Sequence, residues 1–360
     1  MALVYDPMSN PEVLPKQWLE EKFPTEVVQL IEKTIQWDSV GEPLVLDTRR
    51  ALNGAELRAQ EPATFIANLQ RLNDIRYINK FLESVNAQLT QGGYFVGCVE
   101  VSHRRKARFL AKYPKPINKL FYAFDFLHKR LWPKLPYFKR AYFALTQGKN
   151  RVVSEMETYG RLYSCGFRLL DTVEVEDKMY FAVEKTGEPE FNTEATYGPF
   201  IKLRRVGKQG KIMKVYKLRT MSPYSEYVQQ LIYEWNGLGT GAKFKDDPRI
   251  TTLGYFFRKY WLDELPMLFN FIRGDVKLFG VRPISKHYFS LYPEEFQEFR
   301  KKFKPGLIPP VYVEIPKCLE DTIDIERRYL QAYERQPFLT DLRYTSKAFY
   351  NIFIKMVRSY

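Results

Sequence analysis

Apolar residues along this chain change their spacing several times, and each change marks an element. Leu44-Val45-Leu46, bracketed by Pro43 and Asp47, reads as a short buried strand, and Asp74 to Leu89 reads as a helix. Gly92-Gly93 then opens the apolar run Tyr94-Phe95-Val96-Gly97-Cys98-Val99, again a strand. A second helix over Ser154 to Cys165 leads into Gly166-Phe167-Arg168-Leu169-Leu170 and the strand-like Lys178-Met179-Tyr180-Phe181-Ala182-Val183. Strand and helix signals that alternate in this way predict an α/β N-terminal domain. Gly187, Pro189 and Asn192 interrupt the pattern between Glu184 and Thr196, so that stretch is the expected linker between domains at 1–188 and 189–360.

The second domain is expected to be α+β. From Lys202 to Arg219 the chain carries eight Lys or Arg and no acid, with Gly207 and Gly210 between two strand-like runs, which predicts a basic β-hairpin. The same pattern suits a solvated edge hairpin protected by lysine, with Lys202, Lys208 and Lys214 facing water or an anionic surface. Further on, Pro266 is tolerated in a helix only in the first turn, so the helix through Met267, Leu268, Phe269 and Ile272 is expected to begin near Asp263. Asp263 and Glu264 then stand where backbone N–H groups lack partners. Such a place holds a carboxylate or a phosphate oxygen, both together if a divalent cation is bound, and it equally suits plain capping.

Composition adds a bias of location. The 360 residues are 45% hydrophobic and 16% aromatic, ample for two cores. The formal net charge is +14, and residues 101–150 hold thirteen Lys or Arg against the single acid Asp125, so a local partner of opposite sign is expected. Within that stretch Ile117, Leu120, Phe121, Phe124, Leu127 and Leu131 recur at helical spacing, and Trp132 to Arg140 alternates rings with cations. Residues 117–147 therefore fit an element lying in the interface of an anionic membrane surface, or a core-facing helix with a solvated basic side. No nucleic acid partner is expected, because no binding fold or metal-finger spacing accompanies the charge. No run of eighteen apolar residues occurs, and Met1-Ala2-Leu3-Val4-Tyr5-Asp6 lacks the regions of a signal peptide, so a cytoplasmic chain is expected. Cys98, Cys165 and Cys318 have no metal spacing and His103, His128 and His287 form no motif; buried thiols and surface imidazoles are the expectation.

The stretch Lys245-Asp246-Asp247-Pro248-Arg249-Ile250-Thr251, followed by Phe257-Arg258-Lys259-Tyr260-Trp261-Leu262-Asp263-Glu264-Leu265-Pro266, sets adjacent carboxylates among cations. It is one of several ordered blocks that resemble the bacterial sugar transferase family, the membrane-associated polyprenyl-phosphate phosphoglycosyl transferases. The other blocks are Gly198-Pro199-Phe200-Ile201, Arg205 to Lys211, Val215 to Met221, Asn270, Gly274-Asp275, Arg282-Pro283, Pro305-Gly306-Leu307 and Asp341-Leu342, so the resemblance covers about residues 196–357.

That resemblance implies a two-step transfer: an Asp attacks the β-phosphate of a UDP-sugar, releases UMP, and passes the phosphosugar to polyprenyl (undecaprenyl) phosphate, initiating surface polysaccharide or glycoconjugate synthesis. By position Asp263 is the implied nucleophile and Mg²⁺ ligand and Glu264 its acidic partner, while Lys217, Arg219, Arg249, Arg258 and Arg282 are the implied substrate contacts. A carboxylate needs no deprotonation at neutral pH, but it must approach an anionic phosphate, so metal and arginine screening are required. The implied location is peripheral, on the inner face of the cytoplasmic membrane.

The order helix, Gly-Gly strand, helix, Cys-Gly-Phe and hairpin in residues 44–185 resembles the C-terminal half of a class I methyltransferase fold, a partial Rossmann-like arrangement. No Gly-rich turn for S-adenosylmethionine is visible, so a degenerate scaffold is expected. It would dock the second domain on the membrane through 117–147 or bind a membrane protein partner. The family's apolar re-entrant helix ahead of the block at Gly198-Pro199 has no counterpart here, and Trp261, Met267, Val281 and Ile308-Pro309-Pro310-Val311-Tyr312-Val313 depart from the family pattern. A non-catalytic, membrane-peripheral scaffold that keeps the transferase fold therefore stands as the alternative, with a methyltransferase in residues 1–185 a third.

Overall fold

Unbroken apolar runs such as Phe65-Ile66-Ala67 and Phe95-Val96 call for strands covered on both faces, and the computed structural model places them at the centre of a five-stranded sheet. The structure describes residues 15–36, 40, 44–49, 62–191, 197–236 and 246–354. Met1 to Asp6, residues 192–196 of the expected linker and Lys245 lie outside them. The chain divides into two units, one made of Met1–Tyr197 with Ser222–Trp235, the other of Gly198–Met221 with Asn236–Tyr360.

The first unit is an α/β fold. After helices α1 (Pro15–Lys22) and α2 (Thr25–Thr34), strands β1 (Leu44–Leu46), β2 (Ala63–Arg71) and β3 (Leu89–Val99) run parallel, with α3 (Ile78–Gln88) between β2 and β3. Strand β5 (Lys178–Lys185) lies antiparallel between β3 and β4 (Phe167–Val175), giving the order β1-β2-β3-β5-β4. Leu19, Val27 and Ile31 of the first two helices pack on one face, against Phe65, Ala67, Val96 and Ala182. On the other side the Phe95 ring meets Phe81, Phe167 and Phe181 at 6.2, 6.0 and 5.7 Å.

Between β3 and β4 a run of short helices interrupts the sheet: α4 (Ser102–Lys112), α5 (Ile117–Phe126), a π turn (Leu127–Leu131), a 3-10 turn (Trp132–Lys134) and α6 (Pro136–Thr146). Ion pairs help to hold them in place. Arg105, only 1% exposed, donates through Nε and Nη2 to Asp125 at 2.6 and 2.7 Å and through Nη1 to buried Glu100 at 2.9 Å. Removing both acids would strand a buried guanidinium, at a cost of about 3–5 kcal/mol.

Helix α7 (Glu155–Ser164) starts where Ser154 accepts a bond from the Glu157 N–H, the capping-box pairing that Ser-x-x-Glu encodes. Gly160 lets the segment Ser222–Trp235 approach, since a Cβ there would stand 2.2 Å from the Tyr224 carbonyl oxygen. Arg161 lies over the Tyr224 ring at 4.6 Å, and Ser154 shares a 2.9 Å bond with Ser222. The segment carries most of α8 (Gln229–Asn236).

The second unit opens with the hairpin β6 (Phe200–Val206) and β7 (Ile212–Leu218), which turns at Gly207–Gly210 as the glycine spacing predicts. A second pair, β8 (Lys277–Phe279) and β9 (Gly306–Ile308), is parallel. Its helices are α9 (Thr252–Lys259), α10 (Met267–Ile272), α11 (Lys286–Ser290), α12 (Glu294–Lys301), α13 (Leu319–Arg335) and α14 (Pro337–Phe349). Phe279, Val281, Phe296, Tyr312, Tyr329 and Leu330 form the core, and Arg300 pairs with Glu326 at 2.8 Å within it.

One expectation is corrected. Asp263 and Glu264 are not in the first turn of a helix: they occupy a separate 3-10 turn (Leu262–Glu264), and α10 begins only at Met267 after Pro266. The cause is local. Trp261 adopts a left-handed backbone at φ 57°, which stops α9 and reverses the chain, and Pro266 starts a new helix because it needs no N–H partner.

Candidate active site

Four elements of the second unit bring their side chains to the Asp263 turn. Strand alternation supplies the first: Ile201 pairs with Lys217, Leu203 with Val215 and Arg205 with Met213, so these residues share the face that buries Val215. Lys202 and Lys214 fall on the other face and are exposed, as is Lys208 at the turn. Lys217 is thereby aimed inward, and its ammonium donates to Glu264 Oε1.

Buried Asn270 of α10 fixes the register between hairpin and turn. Its Oδ1 accepts from the Tyr216 N–H at 3.0 Å, and its Nδ2 donates to the Lys214 carbonyl at 2.8 Å and to Asp275 Oδ2 at 3.0 Å. Helix α9 is tied down at both ends. Thr251 caps it, its own N–H donating to the Thr220 carbonyl at 2.9 Å, and Arg258 near the other end donates through Nε to Thr220 Oγ1 at 3.0 Å. Gly254 permits this, because a Cβ there would lie 2.0 Å from the Thr220 oxygen.

The two acids end up in different states. Glu264 is gripped by Lys217 and by Arg282, whose Nη2 donates at 3.2 Å. Burial opposes its ionisation, but the two cations outweigh that and hold its carboxyl below the ordinary value. No salt bridge or side-chain hydrogen bond joins Asp263 to another described residue. Burial raises its carboxyl above the ordinary value; Lys217 and Arg258 pull it down and Glu264 pushes it up. A carboxylate held without a partner, in a partly desolvated site with cations nearby, keeps its lone pairs available for an electrophile.

Of the other residues singled out from sequence, Arg258 and Arg282 stand at this turn, while Arg219 donates from Nε to the Gly198 carbonyl at 3.0 Å. Arg249 is a bidentate partner of Asp247, at 2.8 and 2.7 Å, and both are buried. Arg205 is an addition. It shares the inward face of the hairpin with Lys217, and burial and the charge of Arg282 depress its guanidinium. The two-residue period of β6 and β7 is the signal that would have found it, since Arg205 shares the inward face with Lys217.

Residues 192–355 match the model of the bacterial sugar transferase family. This segment belongs to that family. The sugar transferase segment is 41% identical over 105 residues to the galactosyl transferase CpsE of Streptococcus agalactiae, an overlap of 29% of this chain and 23% of that protein. It is 36% identical over 137 residues to the undecaprenyl-phosphate galactose phosphotransferase of Salmonella typhimurium, covering 36% of this chain and 26% of the other. A putative undecaprenyl-phosphate N-acetylgalactosaminyl 1-phosphate transferase of Bacillus subtilis is 37% identical over 114 residues, 31% of this chain and 57% of its own length. The chain thus spans between about a quarter and somewhat over half of these relatives. Two departures from the family's pattern meet in the sugar transferase segment: the ring of Trp261 packs 4.8 Å from that of Tyr312, which is buried in the core.

Proposed function

We propose that this protein transfers a sugar-1-phosphate from a UDP-sugar to polyprenyl phosphate, initiating surface polysaccharide or glycoconjugate synthesis at the inner face of the cytoplasmic membrane. The observation that carries this is the contrast at the 3-10 turn: Asp263 is half buried with no side-chain partner among the described residues, while Glu264 is clamped by Lys217 and Arg282. The names of the relatives, sugar phosphotransferases acting on undecaprenyl phosphate, support the same chemistry.

In the first step a carboxylate oxygen of Asp263 forms a bond to the β-phosphorus, and the bond to the bridging oxygen breaks with its electron pair leaving on UMP. In the second, a phosphate oxygen of the polyprenyl phosphate attacks the same phosphorus and the Asp263 carboxylate is released. Neither step asks Asp263 to lose a proton. Lys217, Arg258 and Arg282, with Arg205 behind, screen the approach of anion to anion, and Arg219 stands at the hairpin's end. Glu264 keeps Lys217 and Arg282 in place. Arg249 acts through the Asp247 fork, holding the loop ahead of α9.

The residues fit Mg²⁺ in the manner of phosphate-metal sites, where one protein carboxylate and the substrate's own phosphates share the ion: Asp263 is the available carboxylate, and no cluster of three or more metal-ligating side chains occurs among the described residues. Bound there, Mg²⁺ would neutralise the donor's phosphate charge.

For residues 1–188 the proposed reading is a degenerate methyltransferase-like scaffold. Three parallel strands followed by an antiparallel β5 inserted next to β4 support it. A non-catalytic protein that keeps the transferase fold is the second reading, favoured by the packing together of Trp261 and Tyr312, two departures from the family pattern.

The test is UMP release from UDP-sugars with Mg²⁺ and polyprenyl phosphate in detergent, together with mass analysis for a phosphosugar adduct on residue 263. Release by wild type and none by Asp263→Asn supports the enzyme. Equal release by both sinks the nucleophile, and no release from any donor leaves the scaffold reading standing.

A further inference from the structure

An amphipathic helix in a globular protein turns its apolar stripe to the core; α5 does the reverse. Ile117, Leu120, Phe121 and Phe124, spaced three and four apart, are 48, 72, 45 and 64% exposed, and Leu127 continues the row at 47%. Trp132 and Phe138 stack at 5.6 Å beyond it, and on α6 Tyr137 is 92% and Leu145 82% exposed. Tyr113 stacks on Phe121 at 4.6 Å, which extends the ring surface back to the end of α4.

The exposed, unpaired charges on this surface are cationic. Asp125, the single acid of residues 101–150, is occupied by Arg105. Lys106, Lys112, Lys115, Lys119, Lys139 and Arg140 are exposed, and none forms an ion pair with another described residue. Lys139 and Arg140 also line a cavity of about 1010 Å³ with Arg49, Arg76 and Lys149, whose one acid, Asp74, is paired with Arg71.

We propose that this helical face, Tyr113 to Leu145, is a docking surface for an anionic lipid bilayer, its rings and leucines entering the interface while the surrounding lysines and arginines meet lipid phosphates. Charge complementarity selects this occupant. A core element of the same chain would leave the cations solvated and the stripe buried, whereas a bilayer receives an apolar row and its cationic border at once. No helix among the described residues is long and apolar enough to cross a membrane, so attachment through this face is interfacial. The inference draws on the proposed lipid acceptor only for its usefulness; vesicle binding and UMP release in detergent can fail separately.

The full-length chain is sedimented with phosphatidylcholine vesicles with and without phosphatidylglycerol, at low and high salt. Binding is expected to need phosphatidylglycerol and to weaken with salt. Lys115→Gln/Lys119→Gln/Lys139→Gln should lose about fivefold per cation on the anionic vesicles. Leu120→Ser/Phe124→Ser should lose about tenfold or more per side chain. Tyr137→Trp should gain fluorescence that brominated-chain lipid quenches beyond the wild-type level. Circular dichroism verifies folding, and UMP release in detergent should be unchanged in all three variants. Unaltered vesicle binding by Leu120→Ser/Phe124→Ser, or no added quenching at position 137, overturns the proposal. So does a concentration-dependent self-association that Leu120→Ser/Phe124→Ser abolishes, which would make the face a protein interface.

Discussion

The hairpin Phe200–Leu218 and the helices over 102–146 are both rich in lysine and arginine, yet their cations meet different surroundings. Around the hairpin, strand alternation turns Lys217 and Arg205 toward the acid turn while Lys202 and Lys214 face water. Lys217 and Arg282 close on Glu264, and Arg249 closes on Asp247. In the helices the one acid is taken by Arg105, and six further cations lie exposed beside an equally exposed apolar row. Counting charge along the sequence treats the two stretches alike. What separates them is how the cations are partnered: those paired around a shared carboxylate fix a geometry for chemistry, whereas unpaired ones on the surface set a field for a partner.

The comparison breaks first at Asp263. Replacing it with Asn should cut UMP release by about 10³-fold or more, on the order of 4 kcal/mol in the barrier, because an amide is not a nucleophile toward phosphorus. Thermal unfolding should be unharmed or slightly raised, since burial disfavours the ionised carboxyl that the substitution removes. A variant that keeps turnover would place the chemistry elsewhere.

Tyr312→Ala tests whether the departures from the family pattern are one packing unit. Loss of a buried ring against Trp261 and the core should lower stability by about 3 kcal/mol, read as a fall in melting temperature of the second unit. A neutral result would mean that Trp261 does not need its partner.

Lys217→Met removes one of the two cations on buried Glu264, and a loss of about 2–3 kcal/mol is expected because Arg282 remains. The pH dependence sharpens the assignment. Asp263 must be ionised to attack, so UMP release should fall as the pH drops through a value above the ordinary 3.8. Lys217→Met takes away a charge that lowers Asp263 and should move this limb to higher pH; Glu264→Gln takes away one that raises it and should move the limb lower. Glu264 acts in the opposite sense on stability. Its carboxyl is held below 4.5, so the stability it contributes is present above that pH and disappears as the pH falls through the lowered value. Limbs that shift together in both variants would show that Asp263 is not the titrating group.

The smallest effect is expected in the helices. Leu120→Ser/Phe124→Ser should change the melting temperature of the first unit hardly at all, within about 0.5 kcal/mol, whereas Ile31→Ala in the same unit should cost about 3 kcal/mol. A large loss from the exposed pair would show that the stripe is buried in solution.

Much of this arrangement is legible in the sequence where the signal is short-range. The apolar run around Phe95 announces a buried strand and Gly207 and Gly210 mark the hairpin turn, whereas the strand through Phe65-Ile66-Ala67 is missing from the sequence reading because its apolar run is too short to stand out. The Asp263–Glu264 pair is readable as adjacent acids among cations, and its reading as a site comes from the resemblance of blocks spread from Gly198 to Leu342. The extension of the helix back to Asp263 is not borne out, because one left-handed residue, Trp261, is an improbable choice of side chain for that backbone and gives no warning. The inward turn of Arg205 is hidden by a charge count and visible only through strand pairing.

By itself the sequence determined four of the five strands of the first sheet, the basic hairpin, the paired acids and the concentration of positive charge, since each depends on neighbours a few residues apart. Only the tertiary structure decided which acid is clamped and which is left without a partner, because Lys217 and Arg282 reach Glu264 from positions 47 and 18 residues away. It also decided that the row Ile117 to Leu127 faces outward. Helical spacing fixes which residues share a face, while the direction that face takes depends on what the rest of the chain packs against it.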